Sequence, residues 1–424
     1  MNKNTIFGFV LIGIILIGFS WYNTKLFKEQ ERERFVRDSI AAVEALKNAP
    51  ALDSSALVTV SEKDSLSVIR ETAPIYKDSL LEAASRAEEE FYTLENDKIS
   101  VTFTTKGAQA SQVLVKNYYT YDSLALYLMK KNSSNFGIDF YTDQQLNTAD
   151  FNFEKVEQTD TSLVMRLNFS TGSYIDHIYT LRPDDYMMDF DLRMTGMSKF
   201  ISKNVTQLGV DWKMTIPRLE RGYDNEKNYS TIDYKFPGES SIEDLGLRKA
   251  EAHADIATKV EWFAFQQQFF SAILVARNNF TNGDLAFKFF PEENPDKNLM
   301  TCGANMQVEY IAGDVVTIPF RFYYGPNLYK VLKSYDYGFE KIVPLGGWLI
   351  GWINRVIIIN FFDFLSKYIV SYGIIILLMT IFIKLVISPL TFKSYVSSAK
   401  MRVLKPEIDK INEKYPRKEN AMKK

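Results

Sequence analysis

Residues 372–390 read YGIIILLMTIFIKLVISPL, nineteen residues with one charge, Lys384. At about 1.5 Å per residue such a run makes a helix close to 30 Å long, the thickness of a bilayer's hydrocarbon core. A buried helix of a soluble protein is the competing reading, but this run is not alone. Residues 5–22, TIFGFVLIGIILIGFSWY, carry no charge and end on an aromatic pair suited to a membrane interface. A cleaved signal peptide competes there, through the small-x-small pattern Gly18-Phe19-Ser20. Cleavage would leave bulky Trp21 at the new terminus. We expect a membrane protein with an N-terminal transmembrane anchor at 1–24 and a core transmembrane helix at 372–390.

Between these runs, residues 348–368 are apolar but hold Arg355, Asp363 and Lys367 with two tryptophans. We expect an amphipathic interfacial helix within a linker spanning 326–371, with a short third span as the alternative. Orientation follows from charge. Beyond Pro389 the chain carries ten Lys/Arg against four Asp/Glu, which places that end in the cytoplasm. Two spans put both ends on one side, so residues 23–347 are expected to be largely periplasmic, with the protein multi-pass in the inner membrane.

The outer region has two textures. Residues 25–90 are dense in charge and lack glycine, as in KEQERERFVRDS, and are read as a flexible tether. From 91 to 325 short runs alternate with period two, such as SLVMRLNFS, QLGVDWKMTIP and VVTIPFRFYYG. Lys106-Gly107, Arg182-Pro183-Asp184-Asp185 and Asn282-Gly283-Asp284 are read as turns between them. The pattern implies a large all-β sandwich.

Chemistry is sparse. Cys302 is the one cysteine, so no internal disulfide forms, and with only His177 and His253 the chain offers a poor metal-ligand set. No phosphate loop, HExxH or GxSxG occurs. The expected cofactor is none, no metal is expected, and the chain is read as not an enzyme. A net charge of −2 provides no field for nucleic acid.

The stretch IFIKLVISPLTFKSYVSSAKMRVLKPEIDKINEKY resembles the YidC/Oxa/Alb family of membrane-protein insertases. It shows a basic residue in the span (Lys384), a Pro389-Leu390-Thr391 corner, and a cytoplasmic Ala399-Lys400-Met401-Arg402…Leu404-Lys405-Pro406 helix. Thr93-Leu94-Glu95-Asn96, Trp262-Phe263-Ala264-Phe265 with Gln267-Gln268-Phe269-Phe270, and Tyr324-Gly325-Pro326 are similar to the bacterial YidC branch. The likeness covers nearly the whole chain and is weakest in the tether. It implies a periplasmic domain of supersandwich type at 91–325. Family members usually carry arginine where this chain has Lys384, and they continue past residue 424 with a second hairpin arm and further spans. The resemblance therefore implies a fragment of a longer insertase or a truncated gene product, with 391–424 beginning a basic cytoplasmic hairpin.

An insertase must lower the cost of moving polar chain into lipid, and a hydrated polar groove does so. Thr380, Lys384 and Ser388, spaced i, i+4, i+8, share one helix face and are the candidate groove residues. Snorkelling of Lys384 to the nearby interface is the plainer alternative. Met401, Leu404, Ile408, Ile411 and Tyr415, spaced 3, 4, 3, 4, form a candidate coiled-coil seam for the second hairpin arm. Expected partners are nascent integral membrane proteins and the lipid bilayer, with the Sec translocon and ribosome as further candidates and no nucleic acid directly. The rival function is a membrane-anchored periplasmic carbohydrate- or protein-binding β-sandwich.

Overall fold

The computed structural model describes residues 79–414. The anchor at 1–24, most of the tether at 25–90, and Tyr415 lie outside them. Period-two alternation becomes β-structure throughout. A small antiparallel sheet runs β1 (Phe91–Glu95), β2 (Ile99–Thr104), β3 (Gln109–Tyr119), β4 (Ala125–Met129) in that order.

The large sheet is built from β5 (Ser134–Tyr141), β6 (Gln145–Asn147), β7 (Glu154–Gln158), β8 (Ser162–Ser170), β9 (Ser173–Leu181) and β10 (Met187–Thr195), followed by β11 (Gln207–Pro217), β12 (Thr231–Lys235), β13 (Glu243–Asp244), β14 (Glu251–Ile256), β15 (Val260–Gln266), β16 (Phe270–Phe289), β17 (Asn298–Glu309) and β18 (Val315–Pro326). Its main path is β6-β5-β11-β17-β16-β18-β10-β9-β8-β7, with β12 to β15 branching from β16.

Alternation in sequence becomes alternation in burial. In β8 every second residue, Leu163, Met165, Leu167 and Phe169, is buried and its neighbours are half-exposed. The two sheets enclose one core, centred on an aromatic stack in which Phe190 lies 4.8 Å from Tyr179 and 5.6 Å from Phe320. Burial of each such ring is worth roughly 2–3 kcal/mol.

Three sequence expectations change. Asn282-Gly283-Asp284 is not a turn. It lies inside β16, just after a register shift against β17, and a side chain on Gly283 would come within 2.5 Å of the Asn305 carbonyl. The glycine permits close approach of two strands at a bulge, a role that leaves the same sequence mark as a turn. Secondly, the end of the expected tether is ordered. Ser79–Arg86 is a helix that buries Leu81, and Asn152 Nδ2 donates to the Ala87 carbonyl at 3.0 Å. Thirdly, the corner expected at Pro389 is not a break. One helix runs from Tyr372 to Lys414, through both Pro389 and Pro406. Each proline removes one backbone donor, but a helix of this length keeps many intact bonds on either side.

The linker after β18 is not loose. Tyr329–Ser334 is helical, Phe339–Ile342 forms a 3-10 turn, and Leu332, Phe339 and Ile342 are buried in the β-domain core. An α–π–α run then covers Trp348–Ser366, with the π segment at Asn354–Ile358. By length and composition Trp348–Ser366 and Tyr372–Pro389 are both able to cross a membrane, and both are almost wholly unburied by protein.

Candidate functional site

The polar side of the long helix arises from an unbroken backbone. Because Tyr372–Lys414 is one helix, Thr380, Lys384 and Ser388 follow one another at steps of about 40° round the axis and about 6 Å along it. All three are exposed. Thr380 Oγ1 donates to the Ile376 carbonyl at 2.8 Å, and Thr391 Oγ1 donates to the Ile387 carbonyl at 3.1 Å, so both hydroxyls are held against their own helix. Among the described residues Lys384 and Ser388 have no hydrogen-bond or ion-pair partner. Around them Ile381, Leu385, Val386 and Ile387 are exposed apolar positions. A single cation in such a surface is the strongest electrostatic feature of the span.

Two aromatic contacts fix the helix against the preceding segment. Phe361 and Phe382 have ring centroids 4.2 Å apart, and Phe362 stacks on Tyr372 at 6.3 Å. That segment is tied in turn to the β-domain. Lys330 Nζ donates to Asn360 Oδ1 at 3.0 Å and pairs with Asp363. Further down the long helix, Met401, Leu404 and Ile408 are exposed apolar positions. The side chain of Ile411, like Tyr415, lies outside the described residues.

Sequence reading missed a clamp that holds the linker on the β-domain. Asp189 accepts from Arg321 Nε at 2.7 Å and from Arg182 at 3.0 Å. Arg321 also donates to the Tyr337 hydroxyl at 3.2 Å, and the Tyr335 hydroxyl donates to Asp185 at 2.6 Å. Trp262 Nε1 donates to the Tyr337 carbonyl at 3.0 Å, and Phe339 packs edge-on to the same indole at 5.1 Å. The density of aromatics around Trp262 and Tyr335–Phe339 was visible in the sequence, but their pairing joins residues more than seventy positions apart.

The β-domain also buries ionisable groups. Asp176 is fully buried between Arg166 at 2.7 Å and Arg193 at 2.9 Å. His177 is buried with Nδ1 3.2 Å from the Ala108 carbonyl, and burial pushes its pKa down to about 4. His177 lies within β9. Burial pushes the Glu226 carboxyl up to about 7, although it accepts from the backbone N–H of Leu219 at 2.9 Å. Asp233 is raised well above its ordinary value, also by burial. Cys302 is a buried free thiol. No cluster among the described residues could hold a metal ion. A cleft of about 510 Å³ opens between the Ser79–Arg86 helix and β8, with both acidic and basic walls, Glu88, Glu90, Glu154, Lys155 and Arg166.

Known proteins match along the whole chain. The family model described as YidC periplasmic domain matches residues 92–359, and the one described as 60Kd inner membrane protein matches residues 337–424. A membrane protein insertase YidC from Parabacteroides distasonis is 34% identical over 441 residues, covering 100% of this chain and 68% of the relative. Another from Bacteroides fragilis is 37% identical over 431 residues, with the same shares of each chain. Among solved structures, a putative aldose 1-epimerase from Escherichia coli covers 56% of this chain and all of that one at a TM-score of 0.38 and 10% identity. That likeness is too slight to bear on the chemistry. The matches to a periplasmic domain and to an inner membrane protein meet along one continuous chain, and the chain belongs to the YidC family.

Proposed function

We propose that this protein works as an insertase and chaperone for integral membrane proteins, with the long helix as the working surface. The observation that carries the reading is the stripe Thr380–Lys384–Ser388, exposed along an otherwise apolar helix of membrane-spanning length. The names of the relatives support the same activity. Residues 1–24 and 372–390 are the spans in this reading, and 348–366 lies along the outer membrane surface. The β-domain is periplasmic and the residues after 390 are cytoplasmic. The seam at Met401, Leu404, Ile408, Ile411 and Tyr415 takes a second helical arm.

Lys384 attracts acidic residues at the end of an arriving substrate. Coulomb attraction at a few ångströms rises from about 1 kcal/mol in water to about 4 kcal/mol near a protein surface, so partial exclusion of water makes the pull useful. The Ser388 hydroxyl, and the Thr380 oxygen as an acceptor, keep the stripe hydrated while the following apolar segment moves into lipid. Substrates are nascent membrane proteins, and the bilayer is the second partner. The Sec translocon and the ribosome are further candidate partners.

The test is complementation of an insertase-depleted strain by the native gene carrying Lys384→Arg or Lys384→Leu, with matched expression. Arginine retains insertion of an acidic-tailed substrate, since it keeps the charge and adds donors. Leucine leaves membrane integration of the protein intact and lowers substrate insertion about tenfold or more. Normal insertion by the leucine variant would reduce Lys384 to an interfacial anchor.

A further inference from the structure

One end of the β-domain exposes an apolar cluster that the insertase reading leaves without a role. The hairpin joining β3 to β4 runs Tyr118-Tyr119-Thr120-Tyr121-Asp122-Ser123-Leu124, and Tyr119 is 70% and Leu124 63% exposed. Large side chains at a hairpin tip usually fold back on the sheet, and these do not. Phe269, in the turn before β16, and Leu328, just after β18, are about half exposed as well.

Several contacts gather these residues at one end of the domain. The Tyr118 ring meets Phe270 edge-on at 5.2 Å. Tyr121 N–H donates to the Leu219 carbonyl at 3.1 Å, and Gln267 Nε2 donates to the nearby Pro217 carbonyl at 2.7 Å. Asn327 N–H donates to the Phe269 carbonyl at 2.7 Å, which holds Leu328 beside that turn.

This end is also where the membrane helices meet the domain. Lys330, two residues beyond Leu328, binds Asn360 and Asp363. The segment that Lys330 binds leads directly to Tyr372, the first residue of the long helix. Tyr372 in turn stacks on Phe362.

We propose that Tyr119, Tyr121, Leu124, Phe269 and Leu328 form a second membrane contact, seated in the headgroup region of the leaflet nearest the β-domain, where they hold that domain against the bilayer. Tyrosine suits this layer because its ring is apolar and its hydroxyl stays wet. The one acid in the tip, Asp122, faces Lys297 at 3.8 Å, so the tip brings no unpaired negative charge to the lipid. Continuity with the span selects lipid as the occupant: Leu328 lies two residues from Lys330, whose partners Asn360 and Asp363 sit on the segment that packs on Tyr372, so the apolar surface extends the belt that the helix itself requires. The inference rests on reading Tyr372–Pro389 as a membrane span.

The test uses the whole chain in nanodiscs of phosphatidylethanolamine and phosphatidylglycerol. Single substitutions Tyr119→Cys and Leu124→Cys carry an environment-sensitive fluorophore, and the parent chain with its buried Cys302 sets the background. Val315→Cys is the control, since Val315 is an exposed apolar residue at the opposite end of β18, about 35 Å away along the strand. Leu385→Cys reports on the span. Nitroxide lipids labelled near the headgroup should quench the probes at 119 and 124 at least twofold more than the probe at 315, while deep-labelled lipids quench the probe at 385. Equal quenching at 119, 124 and 315 overturns the contact while leaving the span. A blue-shifted probe that lipid does not quench is covered by protein and also overturns it. Absence of quenching at 385 removes the span and the contact together.

Discussion

Glu226 and His177 put opposite pH dependences into one domain. Glu226 is raised from 4.5 to about 7, so the folded state holds its proton more tightly than the unfolded chain. Its stabilisation is complete below about pH 4.5 and is lost as pH rises towards 7, at up to about 1.4 kcal/mol per pH unit. His177 is lowered from 6.5 to about 4, so its contribution is present above 6.5 and lost as pH falls towards 4. Between about pH 4.5 and 6.5 the two slopes cancel. Glu226→Gln removes one of them. Denaturant titrations of the variant should therefore show stability rising with pH across this window by about 1 kcal/mol per unit relative to the parent. A parallel profile for parent and variant would mean that Glu226 titrates normally. Neither group was legible as special in sequence: Glu226 sits in an ordinary polar run, YDNEKN, and only the fold buries it.

At the scale of elements, the stretch between β18 and the membrane helices behaves as part of the β-domain. Phe339 is the centre of that attachment, ringed by Trp262 at 5.1 Å, Tyr337 at 5.3 Å and Tyr323 at 6.1 Å. Phe339→Ala should lower domain stability by about 3–5 kcal/mol, the usual cost of emptying a buried aromatic site. Thermal unfolding of the detergent-solubilised protein followed by Trp fluorescence would measure it, since Trp262 loses its partner. A change below about 1 kcal/mol would mean that the linker is merely resting on the surface. The strand elements were legible for the opposite reason. β8 coincides with its alternating run because it has one face in the core and one half-exposed, and the same holds for the first half of β18. β16 was only half legible, since Phe270–Ala276 is buried on both faces and so loses its alternation.

For the whole molecule, the packing of both flanks bears on where the outer domain ends. A fragment covering 91–325 omits the Ser79–Arg86 helix and the segment carrying Leu332, Phe339 and Ile342, all buried. It would expose the surface around Trp262 and Phe169 that these elements cover. A soluble fragment of 79–343 should melt at least about 6 °C higher than one of 91–325, taking about 3 kcal/mol lost and about 2 °C per kcal/mol for a domain of this size. Equal melting temperatures would favour the shorter boundary. The family itself was legible from the C-terminal third, because an apolar run, a basic residue in it and a Pro-Leu-Thr motif are local features of the sequence.

Local periodicity was enough to mark the apolar run at 372–390 and the all-β character of the region between 91 and 325. Hydrophobic spacing is a property of neighbours along the chain, and both lipid and a sheet face select on it directly. Tertiary structure alone decided that Gly283 separates two strands, that the helix passes through Pro389 unbroken, and that Asp189, Arg321, Tyr335 and Tyr337 close into one clamp. The close approach and the clamp depend on partners far apart in sequence, whose meeting is fixed by the register of the sheets and by what the packed core leaves room for, while the unbroken helix rests on the intact backbone bonds either side of the proline.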